Sequence, residues 1–190
     1  MHVLERGDRR GFTLIELMIV IAIVGVLATL AMYGVRTYLM HAKSVEVKNA
    51  VGQMAKDAKT AYERESMAAA VLAGGTTVGV SSNLCSDATA TVPANKALIK
   101  GRKYQSSELE WNVDMATAGK GFACLRFSLT DPQYYMYEYK GTTGASGTFT
   151  AAGYGDLDGD GRTSTVSISG RLSGGVVYVA PNFFEIDEEH

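Results

Sequence analysis

The sequence predicts an α+β protein in which one long N-terminal helix packs on a C-terminal antiparallel β-sheet. Three observations carry this. From Leu17 to Val35 no residue is charged, a run close to the roughly 20 apolar residues that cross a bilayer core. Beyond it, apolar residues continue near helical spacing to Tyr62, and the three prolines, Pro93, Pro132 and Pro181, all lie later, so no proline interrupts a helix over this stretch. In the last third, apolar residues recur at every second position between turns rich in glycine and aspartate, as short strands require.

The apolar run lies at the N-terminal end of the sequence. It is apolar on every side, which separates it from the one-sided helix of a soluble core. Arg6, Arg9 and Arg10 precede it, so the positive-inside rule keeps the leader in the cytoplasm and places the remainder across the membrane. A cleavable secretory signal has a shorter apolar stretch followed by its small-residue site. Here the small residue, Gly11, comes before the stretch.

Glu16 is the anomaly in this segment. A carboxylate in hydrocarbon is costly and calls for a partner, yet no Lys, Arg or His occurs between Phe12 and Arg36. Cleavage after Gly11 would create an α-amine at Phe12, one helical turn from Glu16. That amine, on the same copy or a neighbouring one, can neutralise the acid, and pairing between copies would reward association.

Gly11-Phe12-Thr13-Leu14-Ile15-Glu16, behind a basic leader and ahead of an apolar run, resembles the processing signature of type IV prepilins and the related type II secretion pseudopilins. The close resemblance covers about the first third of the chain. It implies a type IV pilin fold, cleavage between Gly11 and Phe12 by a membrane prepilin peptidase, and N-methylation of Phe12. It further implies a role for Glu16 in subunit docking and polymerisation of the mature protein with itself. The precursor would reside in the inner membrane, and the pilus assembly machinery would carry it into an extracellular filament. The short leader and Phe12 favour the type IVa class. Many such pilins have a proline about two turns beyond Gly25, where this chain has Tyr33 and Gly34. Any softening of the helix is therefore expected between the two glycines, each of which lowers helix propensity by about 1 kcal/mol.

Five segments follow: a leader at 1–11, a transmembrane and polymerisation helix at 12–35, an amphipathic half at 36–65, a connecting region at 66–120, and a sheet with the C-terminal region at 121–190. In the amphipathic half, Val35, Leu39, Ala42, Val47, Ala50, Val51, Met54, Ala58, Ala61 and Tyr62 form the apolar stripe. A helix from Phe12 to Tyr62 would be about 76 Å long, more than a bilayer needs, so its second half is read as the spine of another domain. His41 reads as a helix-surface residue.

In the connecting region, Ala68 to Leu72 can extend the helix, which breaks at Gly74-Gly75. Lys96, Lys100, Arg102 and Lys103 near Tyr104 and Trp111 form a basic patch with aromatics, a pattern that can hold single-stranded nucleic acid. The net charge is −2, and a general nucleic-acid binder needs an excess of cations. Nucleic acid is therefore not indicated, and a solvated loop facing acidic residues of adjacent subunits is preferred. Cys85 and Cys124 are the two cysteines. On the exported side of a membrane a lone pair reads as a disulfide, here tying the connecting region to a first strand at 121–129. Residues 133–141, 148–152, 164–170 and 176–180 read as further strands, giving a sheet of four or five. Tyr135, Tyr137 and Tyr139 share one face of it, with hydroxyls expected to reach water. The acidic end, Glu185 to Glu189, is expected to fray or to meet a neighbour's lysines.

Asp156, Asp158 and Asp160 with Gly161 copy the first half of a calcium loop. The twelfth position is Ser167 rather than glutamate, and Glu185 or Asp187 can substitute. The same residues suit a turn between two strands. The turn is the preferred reading and calcium the alternative, since calcium sites occur in the related pseudopilins; no cofactor is required.

No phosphate-cradling glycine motif, histidine-based metal cluster or nucleophile elbow is present, so an enzyme is not expected. The principal expectation is a structural pilus subunit serving motility or adhesion. The alternatives are a minor pilin or secretion pseudopilin and, from another class, a monomeric membrane-anchored binding protein.

Overall fold

The computed structural model describes residues 11–64, 66–67, 75 and 80–186. The leader residues 1–10, Glu65, the helix extension at 68–72, Gly74 and the acidic residues 187–189 lie outside the described residues. The chain divides into two compact units, Met1–Leu39 and Met40–His190, and helix α1 (Leu14–Glu63) contributes to both.

In the first unit the helix is bare. Every residue from Gly11 to Arg36 is exposed, including Ile15, Ile19, Ile23, Val26 and Leu30 at 54–65%. Such a surface is stable only when a membrane or other apolar partners cover it. Its hydroxyls do not spoil it, because Thr29 Oγ1 donates to the Val26 carbonyl (2.7 Å) and Thr37 Oγ1 to that of Tyr33 (3.2 Å). Gly25 and Gly34 are both helical and have open space around them.

In the second unit, burial on α1 starts at Ser44 and continues through Val47, Ala50, Val51, Met54, Ala55, Ala58 and Ala61, one stripe at helical spacing. It differs from the expected stripe at its start. Val35, Leu39 and Ala42 are exposed, while Ser44 and Ala55 are buried. Ser44 tolerates burial because its hydroxyl donates to the His41 carbonyl at 2.8 Å. His41 itself is exposed, on the helix surface.

Two-residue strands β1 (Ser66–Met67) and β2 (Val80–Ser81) pair antiparallel. The connecting region then carries two short helices, α2 (Glu108–Trp111) and α3 (Gly121–Leu125). The main sheet follows: β3 (Tyr135–Gly141), β4 (Thr148–Gly155), β5 (Ser164–Ser173), β6 (Val176–Val179) and β7 (Phe184–Ile186), all antiparallel. The order is β3-β4-β5-β6, and β7 shares the far edge of β5 with β6.

The 121–129 segment is not a strand. Phe122 and Leu125 are buried one helical step apart, and Arg126 at φ 62° ends the helix in the left-handed conformation. Period-2 alternation in so short a run does not exclude a helical turn with its apolar positions at i and i+3. The strand at Phe184–Ile186 was not anticipated, because three residues carry no readable period.

Large and small side chains alternate across the inner face of the sheet. Tyr135, Tyr137 and Tyr139 stand opposite Gly155, Gly153 and Ala151, and Phe149 lies opposite Gly170. The small residues of β4 leave room for α1, and the tyrosines fill the space beside it. All three tyrosines are fully buried, so their hydroxyls do not reach water. Tyr139 donates to the Cys85 carbonyl at 3.3 Å, and burial raises the phenol pKa of Tyr137 and Tyr139. The outer edge of β3 is covered by the connecting region: Val92 exchanges both backbone hydrogen bonds with Tyr137 (3.0 and 2.8 Å) and Ala88 N–H donates to the Tyr139 carbonyl (3.0 Å). An exposed edge that would template aggregation is thereby closed.

Candidate processing and assembly site

The N-terminal motif comes first. Gly11, Phe12 and Thr13 precede the helix, are non-helical and exposed, and Phe12 is 91% exposed. The Gly11–Phe12 peptide is therefore open to an external enzyme. Thr13 is the N-cap of α1. Glu16 Oε2 accepts both the Thr13 backbone N–H (2.8 Å) and its hydroxyl (2.7 Å), and Glu16 N–H donates to Thr13 Oγ1 (3.3 Å). This is a reciprocal capping box, which satisfies donors that a helix start otherwise leaves orphaned.

Thr13 is the residue that sequence reasoning missed. Its signal is Thr13-x-x-Glu16 ahead of an apolar run; the amine that would pair with Glu16 exists only after cleavage. In the uncut chain Phe12 contributes a peptide bond, and Glu16 is held by Thr13 instead.

In the second unit, Cys85 and Cys124 are joined with Cα atoms 5.8 Å apart, at a sequence separation of 39. The bond ties the connecting region to α3 rather than to a strand. Close by, Asp114 is buried and accepts Thr89 N–H (2.9 Å) as well as the Thr89 hydroxyl, with Lys120 Nζ 3.7 Å away. Gly121 is required there: at φ 58° it favours glycine, and a Cβ would lie 2.2 Å from Asp114 Oδ2.

Two cations of the basic patch, Lys96 and Lys103, stand over aromatic rings of the same subunit. Lys43 and Lys103 both stand over the Tyr134 ring, at 4.5 and 4.8 Å, and Lys96 stands over Tyr154 at 5.8 Å. Tyr104 donates to Glu110 Oε1 at 2.6 Å. Trp111 is buried against Phe122 and Phe127, with centroids at 5.0 and 5.4 Å, and its indole N–H donates to Ser106 Oγ (2.9 Å). It is not available to stack a base.

Asp156, Asp158 and Asp160 lie in the turn joining β4 to β5, where one ligand oxygen from each lies within 4.8 Å of the others. Asp156 is buried and the other two are exposed. Asp156 accepts Gly159 N–H (2.8 Å) and Gly161 N–H (3.1 Å), Asp158 accepts Asp160 N–H (3.1 Å), and Asp160 accepts Arg162 N–H (2.7 Å). Gly161 makes the bend at φ 96°. Three hard oxygen donors on one loop fit calcium. Glu185 does not join them, because it pairs with Lys48 at 3.0 Å; Asp187 lies outside the described residues. Glu185, expected to fray or to meet a neighbour's lysine, instead pairs with Lys48 of its own chain.

A long apolar helix leading into an α+β unit with a five-stranded antiparallel sheet is a type IV pilin-like architecture. Residues 6–32 match the family model of the prokaryotic N-terminal methylation motif, the hallmark of type IV pilin and pseudopilin precursors. No curated protein and no solved structure matches the chain. The motif implies processing by a prepilin peptidase, and with the bare apolar helix it fits a precursor anchored in the inner membrane.

Proposed function

We propose that this chain is a structural pilin subunit, cut between Gly11 and Phe12, methylated at the Phe12 amine and polymerised through its N-terminal helix into a surface filament for motility or adhesion. One observation carries the reading: an acidic residue, Glu16, stands at the head of a wholly exposed apolar helix, directly after an accessible Gly11–Phe12 peptide. A fully apolar helix surface seeks lipid or other copies, and an acid within it seeks a cation. Cleavage supplies the cation as a new amine, and a neighbouring helix brings it within reach.

Glu16→Ala separates this from a monomeric anchored receptor. The pilin reading requires the variant to remain in the membrane and form no filaments; a receptor would keep its activity. A minor pilin or secretion pseudopilin uses the same chemistry, and filament yield after deletion of this chain distinguishes them, being abolished for a major subunit.

A second reading concerns the β4–β5 turn. The convergence of three carboxylates supports a structural calcium ion held by Asp156, Asp158 and Asp160. The ion would offset their mutual repulsion and rigidify the turn, with no chemical step attached to it.

A further inference from the structure

A cavity of about 860 Å³ opens between the end of α1, the start of the connecting region and α3. Arg64 and Arg126 both line it, together with the neutral donors Asn83, Ser86 and Thr143, and no carboxylate does so among the described residues. The Arg64 guanidinium is fixed in place, donating from Nη2 to the Cys124 carbonyl at 2.6 Å, and the disulfide anchors that carbonyl in turn. Arg126 ends α3 in the left-handed conformation, the one non-glycine residue at positive φ among the described residues, and is exposed. Its guanidinium makes no ion pair among the described residues. Asp57, the carboxylate that acts on Arg64, already accepts Gln53 Nε2 at 2.8 Å. Burial and the neighbouring Arg126 both push the Arg64 guanidinium pKa down.

Two like charges facing one recess, with Asp57 offsetting only part of the repulsion at Arg64, become more favourable when an anion joins them. Guanidinium forks match planar or tetrahedral oxyanions through paired N–H donors. We propose that the Arg64–Arg126 cavity is an oxyanion-binding site that takes a phosphate, sulfate or carboxylate group. The group can belong to a soluble anion or to an acidic side chain of a second copy, and the sequence ends in such a segment, Glu185-Ile186-Asp187-Glu188-Glu189-His190. Every residue of the site lies in the second unit, so the inference stands apart from the role given to the N-terminal helix.

The test is equilibrium dialysis of the full-length protein in micelles against radiolabelled inorganic phosphate at constant ionic strength. Arg126→Gln is the informative variant, because glutamine meets the same backbone demand as arginine. Arg171→Gln, at an exposed arginine on β5, is the control. Saturable one-to-one binding is expected in wild type and Arg171→Gln, weakened at least tenfold in Arg126→Gln with an unchanged melting midpoint. A synthetic peptide of residues 185–190 that competes with phosphate assigns the group to a second copy. A peptide that does not compete assigns it to a soluble anion. Absence of saturable binding in wild type, or equal binding in Arg126→Gln, overturns the site.

Discussion

Val47 of α1 occupies the space that a side chain at position 153 would need: a Cβ on Gly153 would lie 2.2 Å from Val47 Cγ2. Helix and sheet are in close contact there, with Tyr137 opposite Gly153 on the neighbouring strand. Gly153→Ala is expected to overpack this contact and cost about 1–3 kcal/mol. Gly52→Ala is the counterpart on the helix, because its Cβ would meet only Phe183 at an ordinary 3.6 Å. That change is expected to stabilise by up to about 1 kcal/mol through helix propensity. Chemical denaturation of both variants reads the opposite signs; equal signs would mean the helix is not seated on β4 as described.

The Thr13–Glu16 capping box gives a second expectation. Thr13→Val removes the cap and loosens the first turn of α1 by about 1 kcal/mol, while Thr13→Ser retains it. Amide exchange of Leu14 to Leu17 in micelles is the measurement. Faster exchange in valine only is the expected result, and no difference between the two variants would show that the box contributes nothing.

The disulfide closes the connecting region onto α3. Replacing both Cys85 and Cys124 with alanine is expected to cost about 4 kcal/mol in the chain-entropy picture for a loop of this size. A denaturation midpoint within error of wild type would mean that Val92, Ala88 and the Trp111 cluster hold the region without it.

Glu46 predicts a pH dependence. It is half-buried on α1 and its Oε1 accepts Tyr134 N–H at 3.0 Å. Burial pushes its carboxyl pKa up, the Tyr134 hydrogen bond and Lys103 oppose the rise, and Asp131 adds to it. A raised acid pKa in the folded state favours the protonated form. Its stabilising contribution is therefore complete below the ordinary carboxylate pKa and is lost as pH rises through the raised value. Glu46→Gln keeps an acceptor for Tyr134 and is expected to flatten this limb, which starts at the ordinary carboxylate pKa and runs upward. Glu46→Ala leaves that N–H without its partner and is expected to cost about 1–3 kcal/mol. A melting curve across pH that is identical in wild type and Glu46→Gln would refute the assignment.

Calcium at the β4–β5 turn is read by a thermal melt with and without chelator. The midpoint is expected to fall on chelation, and Asp158→Asn with Asp160→Asn is expected to remove the response. An unchanged wild-type midpoint returns the turn to a purely covalent and hydrogen-bonded role, held by Gly159 and Gly161 N–H on Asp156.

What could be read from the residues was what short range controls. The apolar run, the Gly11–Glu16 motif, the paired cysteines and four strands of the main sheet, β3 to β6, each carry their signal within a few neighbouring positions, through period, charge or spacing. The Thr13 cap is equally local, spelled by Thr13-x-x-Glu16. Tertiary contacts alone decided the rest. They placed the start of burial on α1 at Ser44, because that depends on where the sheet ends rather than on the helix's own period. They turned 121–125 into a helical turn, since Cys124 must reach Cys85 while Phe122 packs against Trp111. They also gathered Arg64, Asn83, Arg126 and Thr143, scattered over 80 positions, around one cavity. No local pattern encodes that meeting, because it follows from helix, disulfide and sheet closing on one another.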